Sequence, residues 1–314
     1  MPRANELLIR VRYCGLCGSD FHLAAGTYPG LVRPPVVLGH EFSGTVVAYG
    51  EGTSRAIFDA FPLGTPVTAE EMLWCGRCAP CAAGHLNHCE NLEELGFTVD
   101  GAHAEFVRVP AKYCWSLAEL PETDAFLLGA LVEPYAVAYR ALLQGAHAGG
   151  WRKGTRVLTL GAGPIGLAVA DLARLEGAGE VTCLDREPAR SALAARLGAG
   201  TEARGKYDWI VDAAGAPRDL FALAEKHLAI GGSICLLART LEPAIFSPEL
   251  LITRNARVFG SQGHAGDGTF GRVIERLPRL RALDLVEEII PVDEAAARLA
   301  SGKKAGGKIL VQPT

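Results

Sequence analysis

The run Arg156–Leu160 passes straight into Gly161-Ala162-Gly163-Pro164-Ile165-Gly166, and a helical pattern, LAVADLARLEGAG, follows at once. On its own a GxGxxG run says little. Between a strand and a helix it has a mechanical meaning, because glycines permit a tight turn and let a pyrophosphate come close to the positive N-terminal end of the helix. The turn therefore predicts a βαβ unit in a parallel sheet. The surrounding pattern agrees: apolar strand-like runs at Glu180–Leu184, Tyr207–Asp212 and Ser233–Leu237 alternate with helical patterns between about residues 155 and 290, the signature of a doubly wound α/β domain of the Rossmann type.

Asp185 stands nineteen residues after Gly166, at the end of the next apolar strand. A carboxylate there accepts hydrogen bonds from the adenosine ribose hydroxyls, which favours NAD over NADP. Arg186 and Arg190 pull the other way, since an arginine beside that position can pair with a 2′-phosphate; for Arg190 a solvated helix face is an equal reading. The expected cofactor contacts are Gly161, Gly163, Pro164, Ile165, Gly166, Asp185 and Arg190.

The first 115 residues read differently. Short β-rich runs such as Leu7–Val11 and Ser43–Ala48 are separated by Gly and Pro turns and by cysteine-rich loops, which points to a separate, mostly β domain. The tail from Pro291 shows a helical stretch, a Gly-rich turn and a last strand over Lys308–Val311, and is expected to rejoin that domain. The resulting division is 1–134 with 291–314, and 135–290. With 314 residues, 49% of them hydrophobic, the chain can bury sizeable cores in two domains. A net charge of -4 with scattered Lys and Arg argues against nucleic-acid partners. No stretch approaches a membrane span and the N-terminal MPRANELLIRVRY lacks an apolar signal core, so the expected compartment is the cytoplasm, with no membrane partner.

Nine cysteines are many for a reducing compartment, yet four of them follow Cys75-x2-Cys78-x2-Cys81-x7-Cys89. Four thiolates on one loop close a tetrahedral zinc shell and leave no position for substrate, so this site is structural. His85 and His88 lie inside the loop and are expected at the surface. Three other segments carry metal-ligand residue types: Cys17 within Cys14-Gly15-Leu16-Cys17-Gly18-Ser19-Asp20-Phe21-His22, His40-Glu41 within Gly39–Gly44, and Glu133 within Leu131–Pro134. Taken singly, a buried Cys or His is ordinary core and Glu133 suits a helix start.

Together and in this order, the CGSD segment, GHE, the four-cysteine loop, VEP and the glycine turn resemble the zinc-containing medium-chain alcohol dehydrogenases, over nearly the whole chain. Within them the likeness is to the polyol branch, with sorbitol and threonine dehydrogenases. The stretches His88–Asn91, Leu95–Phe97, Val99–Ala102 and Gly260–His264 are similar to the scyllo-inosose dehydrogenases of inositol catabolism. The resemblance implies a GroES-like catalytic domain and a homodimer or homotetramer. It also implies two zinc ions per chain: a structural one on the four cysteines and a catalytic one on Cys17 and His40, with Glu41 and Glu133 in direct or water-mediated contact.

Such a centre polarises a secondary hydroxyl of a polyol, cyclitol or aminocyclitol, and NAD accepts the hydride. Ser19 and His22 match the family's proton relay, and Asp20 the acid that orients the ligating histidine; Ser19 also suits a helix cap and His22 an ordinary surface histidine. Two departures stand out. The segment matching Leu7–Val11 lies near the start of the sequence, where the family's pattern carries earlier strands, and the connection from Gly200 to Tyr207 is short, the latter bearing on the adenine side of the cofactor pocket. Competing readings are an open-chain polyol, sugar or threonine dehydrogenase, and a non-catalytic zinc and nucleotide binder.

Overall fold

The computed structural model describes residues 1–313, which form two compact units. The first comprises Met1–Glu133, His264–Pro278 and the residues from Val286 onward; the second comprises Pro134–Gly263 and Arg279–Leu285. Residues 264–278 and 286–290, expected with the nucleotide-type domain, belong to the first unit. The reason lies in hydrogen bonding: Val286–Pro291 is a strand paired in parallel with Lys308–Gln312, so the last strand draws it into the first sheet.

In the first unit the strands run in the order Val286–Pro291, Lys308–Gln312, Glu6–Leu16, Glu41–Tyr49, Pro66–Ala69, Cys114–Ser116, with Phe106–Pro110 on the first half of Glu6–Leu16. Leu7, Ile9 and Val11 point into the core while Arg10 and Arg12 point out, the alternation that a half-buried strand requires. They pack with Phe42, Val46, Val67 and Val107. Glu6–Leu16 is irregular between Leu8 and Ile9 and between Val11 and Tyr13. Its second half leaves Phe106–Pro110 and pairs instead with the C-terminal strand, Leu16 opposite Ile309, while Gly15 lies opposite Glu41. This register puts Cys17, Glu41 and Lys308 at one end of the sheet. The expected tail is present as the helix Val292–Ser301 followed by Lys308–Gln312. Ala295 and Leu299 of that helix close a small core with Leu16, Phe21 and Ile309.

The second unit holds a five-stranded, all-parallel sheet in the order Arg257–Gly260, Leu228–Leu236, Tyr207–Asp212, Arg156–Leu160, Glu180–Leu184. The expected strand Ser233–Leu237 begins earlier because Leu228 already pairs with Tyr207. Leu158, Tyr207, Ile210 and Ile234 form one buried core with Leu220 and Phe221 of the helix Pro217–His227, while the alternating Val157, Trp209 and Val211 are buried too. A full Rossmann sheet has a third strand outside the second. Here Glu180–Leu184 is the sheet's edge: after the helix Pro188–Arg196 only Gly200 bridges to Thr182, and residues 201–206 lead directly to the next strand. The short Gly200–Tyr207 connection is thus one strand fewer on the side that carries Asp185.

Candidate active site and metal centres

The four cysteines of the loop converge. Their sulfurs all lie within 4.8 Å of one another, and Cys78 Sγ is 3.8 Å from Cys89 Sγ. A tetrahedron with zinc–sulfur arms of about 2.3 Å has an edge of about 3.8 Å. The loop is closed by the short antiparallel pair Met72–Leu73 and Glu93–Glu94, and Cys78 caps the turn of helix Ala79–Ala82. Backbone N–H groups of Cys75 and Asn91 donate to Cys89 Sγ at 3.2 and 3.3 Å. The amides of Arg77 and Cys78 hold the Cys75 thiol down at about 6, so it is ready to be a thiolate ligand. His85 and His88 are exposed.

Cys17, His40 and Glu41 form a second cluster with donor atoms within 4.8 Å of one another. They come from two places: Cys17 is the N-cap of helix Gly18–Ala24, directly after the first strand, and His40 and Glu41 open the strand Glu41–Tyr49. His40 is 3% exposed and Glu41 fully buried. Burial and the Glu41 carboxylate push the Cys17 thiol far above its ordinary range, so a cation is needed to make it a thiolate. A sulfur, an imidazole and a carboxylate around one point are a donor set that suits zinc.

Asp20 lies beneath this cluster, fully buried. Its carboxylate accepts from the Cys17 amide at 2.8 Å and lies 3.7 Å from His40 Nδ1 and 3.6 Å from His103 Nε2. Burial works against its charge, but His40, His103 and the Cys17 amide hold it below the usual carboxylate range. Ser19 sits inside the helix rather than at its cap, with Oγ 3.4 Å from His40 Nε2. His22, on the same helix, is exposed and bonds through Nδ1 to Thr27 Oγ1 at 3.0 Å. No direct hydrogen bond joins Ser19 and His22 among the described residues.

Glu41 has a partner that sequence reasoning missed. Lys308 Nζ is 2.5 and 2.8 Å from its two carboxylate oxygens and 3.3 Å from Leu16 O. Burial disfavours the ammonium, yet Glu41 holds Lys308 above its ordinary value. Such a pair is costly to break, because either charge left alone is buried without compensation. Lys308 had registered only as the start of a strand.

Glu133 sits in the first turn of helix Val132–His147, 6% exposed, and burial together with Glu41 raises it to about 7. It looks toward both ends of the site. Besides feeling Glu41 and His40, it forms a third cluster with Glu71 and His264, again within 4.8 Å. His264 Nε2 bonds Glu71 Oε2 and lies 4.0 Å from Glu133 Oε1. Glu71 escaped the sequence reading, although the paired acids in Ala69-Glu70-Glu71-Met72 interrupt an otherwise apolar run, and His264 enters it only as the end of the similar stretch Gly260–His264, without a role.

In the second unit the glycine turn has the geometry its sequence requires. Gly161 adopts φ +100°, and a Cβ on Gly166 would sit 2.0 Å from Gly161 O. Gly163 is the N-cap of the helix Pro164–Leu175, with Pro164 at its first position. Asp185 Oδ2 accepts from Ala162 N at 2.8 Å and Oδ1 from Glu187 N at 2.9 Å, which sets the carboxylate beside the turn. Arg190 Nη1 is 3.7 Å from Asp185 Oδ2, whereas Arg186 is drawn off to Asp219.

The profile of the alcohol dehydrogenase GroES-like domain matches residues 3–120. Scyllo-inosose 3-dehydrogenase of Thermotoga maritima is 44% identical over 305 residues, covering 87% of this chain and 77% of that protein. A solved structure of an alcohol dehydrogenase from Thermotoga maritima superposes with a TM-score of 0.89 at 38% identity, covering 98% of this chain and 86% of the other. A zinc-binding dehydrogenase from Sinorhizobium meliloti bound to NADP gives 0.89 at 30% identity, with 100% and 93% covered. RspB from Escherichia coli CFT073 complexed with NADH gives 0.86 at 26% identity, with 99% and 93% covered.

Proposed function

The chain belongs to the zinc-dependent medium-chain alcohol dehydrogenase family, oxidoreductases acting on CH–OH donors, and from that premise we propose that it oxidises a secondary alcohol of a cyclitol or aminocyclitol to a ketone with NAD as hydride acceptor. The observation that carries the reading is the convergence of Cys17, His40 and Glu41 around one point at the end of the first sheet. The cyclitol class follows from the likeness to scyllo-inosose 3-dehydrogenase.

In this reading Cys17 and His40 hold the catalytic zinc, with Glu41 and Glu133 as its carboxylates, and Cys75, Cys78, Cys81 and Cys89 hold the structural one. Zinc bound at the first of these sites supplies a Lewis acid that brings the pKa of a substrate hydroxyl toward neutrality. Asp20, 3.7 Å from His40 Nδ1, orients the imidazole from behind. Lys308 neutralises Glu41, so that the site gathers carboxylates without gathering uncompensated charge. Ser19, within reach of His40 Nε2, accepts the hydroxyl proton as it releases its own to a bridging water, and His22 at the surface of the same helix takes it from that water to bulk solvent. Gly161, Gly163, Pro164, Ile165 and Gly166 seat the pyrophosphate, and Asp185, held by the Ala162 amide and lying beside Arg190, takes the ribose hydroxyls. The active form is a homodimer or homotetramer working in the cytoplasm. Among the described residues no helix is long and apolar enough to cross a membrane.

The test is a substrate panel. Purified, zinc-loaded protein incubated with NAD should generate NADH absorbance with at least one inositol, inosose or aminocyclitol. Inactivity across that panel rejects the substrate class, and faster turnover of sorbitol or threonine replaces it with an open-chain substrate.

A further inference from the structure

Beyond the zinc donors lies a buried polar group that the reaction as derived does not use. Glu71, 6% exposed, and His264, fully buried, are bonded to each other. They are held from several sides. The backbone of Glu71 is tied to the cysteine loop, its carbonyl accepting from Leu95 N at 3.0 Å. The His264 carbonyl accepts from Thr269 Oγ1, and its ring packs 4.6 Å from the Phe270 ring. A carboxylate and an imidazole taken out of water cost stability unless something is gained in return. The two are not in an arbitrary place. Glu133, 4.0 Å from His264 Nε2, connects them to the zinc donors, and both carboxylate side chains keep a small opening, 8% exposed for Glu71 and 7% for Glu133.

Polarising one hydroxyl needs only the metal donors. A ring that bears a hydroxyl on every neighbouring carbon presents further groups, each of which both donates and accepts. A carboxylate with a small opening matches that pattern by accepting from such hydroxyls, while the buried imidazole bonded to it fixes its orientation. We infer that Glu71, its carboxylate held in place by His264, binds the hydroxyls adjacent to the one being oxidised, and so sets the enzyme's selectivity for polyhydroxylated rings over simple secondary alcohols. This rests on the proposed cyclitol activity and adds the residues that read the ring. Glu71 is the substrate-binding residue and His264 positions it; neither touches the departing hydride.

The experiment compares wild type with Glu71→Gln and His264→Gln, using the cyclitol that wild type turns over best from a panel containing scyllo-inosose and the inositols, and cyclohexanol as the ring without neighbouring hydroxyls. Losing one hydrogen bond to a charged or polar partner should lower the cyclitol-to-cyclohexanol ratio of kcat/KM by about tenfold to a hundredfold. The loss should fall on KM rather than kcat, and calorimetric affinity for the cyclitol should drop in step. Glu71→Asp should recover part of it, and zinc should stay at the wild-type stoichiometry by atomic emission. An unchanged ratio overturns the inference. A fall in metal content overturns it too, assigning the cluster to a cation. Wild type that turns over no cyclitol defeats the proposed function itself, a result visible before any variant is made.

Discussion

Gly166→Ala and Gly163→Ala separate what the glycine turn does for the fold from what it does for the cofactor. At Gly166 a methyl group would stand 2.0 Å from Gly161 O and 3.0 Å from Gly161 C, both backbone atoms. Since heavy atoms repel strongly well inside about 3.5 Å, the start of the helix Pro164–Leu175 must retreat by about 1 Å. Alanine gains about 1 kcal/mol over glycine in helix propensity, but forcing a methylene-sized group into a packed site costs about 1–3 kcal/mol or more. The clash wins. At Gly163, φ is -74° and nothing lies within 4 Å of the added Cβ, so alanine fits the free protein and meets only the cofactor. Differential scanning fluorimetry without cofactor should show Gly166→Ala several degrees less stable and Gly163→Ala lowered less, by the poorer N-cap alone. NADH fluorescence titration should show both weakened, on the order of tenfold to a hundredfold for a displacement near 1 Å. A cofactor-free midpoint that falls as far for Gly163→Ala as for Gly166→Ala, or holds for Gly166→Ala, refutes the division of roles; undiminished NADH affinity in Gly163→Ala refutes pyrophosphate binding at the turn.

Asp185→Ala should weaken NAD by about tenfold, the loss of a charge-assisted hydrogen bond, and NADP by less; equal losses mean that the carboxylate does not read the ribose. Cys78→Ser should remove one zinc per chain and lower the melting temperature, because structural zinc contributes directly to folding; unchanged metal content counts against the four-sulfur site. With the catalytic zinc removed, Glu133 is raised to about 7 from an ordinary 4.5, so the folded chain binds the proton more tightly than the unfolded one. Stability should then fall as pH rises from about 4.5 to about 7, by at most about 1.4 kcal/mol per unit for that proton. Urea midpoints at pH 5 and 7.5 measure it, and Glu133→Gln should flatten the slope; a wild-type midpoint that rises over this window contradicts the buried, carboxylate-crowded environment.

What could be read from the sequence was whatever depends on near neighbours. The strands Arg156–Leu160, Glu180–Leu184 and Tyr207–Asp212 form over the ranges their apolar runs suggest, because each is a short run bounded by Gly or charge. The four cysteines are close in sequence, so their convergence was legible from spacing alone. Domain membership was harder. Val286–Pro291 joins the first sheet only because the chain returns at Lys308–Gln312 to pair with it, a long-range event that no local pattern encodes. The same holds for Lys308, 267 positions from Glu41, and for His264, 193 positions from Glu71. Each is a single polar residue whose meaning depends on a partner brought near by the sheet. His103 beside Asp20 belongs with them.

The central claim is hydride transfer at the Cys17–His40 centre, and isotope tracking tests it most directly. Zinc-loaded enzyme given a ring-deuterated cyclitol and NAD should yield NADH carrying one deuterium per ketone formed, by mass spectrometry. Cys17→Ser, still folded by circular dichroism, should yield none. Unlabelled NADH, or labelled NADH formed by Cys17→Ser at the wild-type rate, contradicts the account.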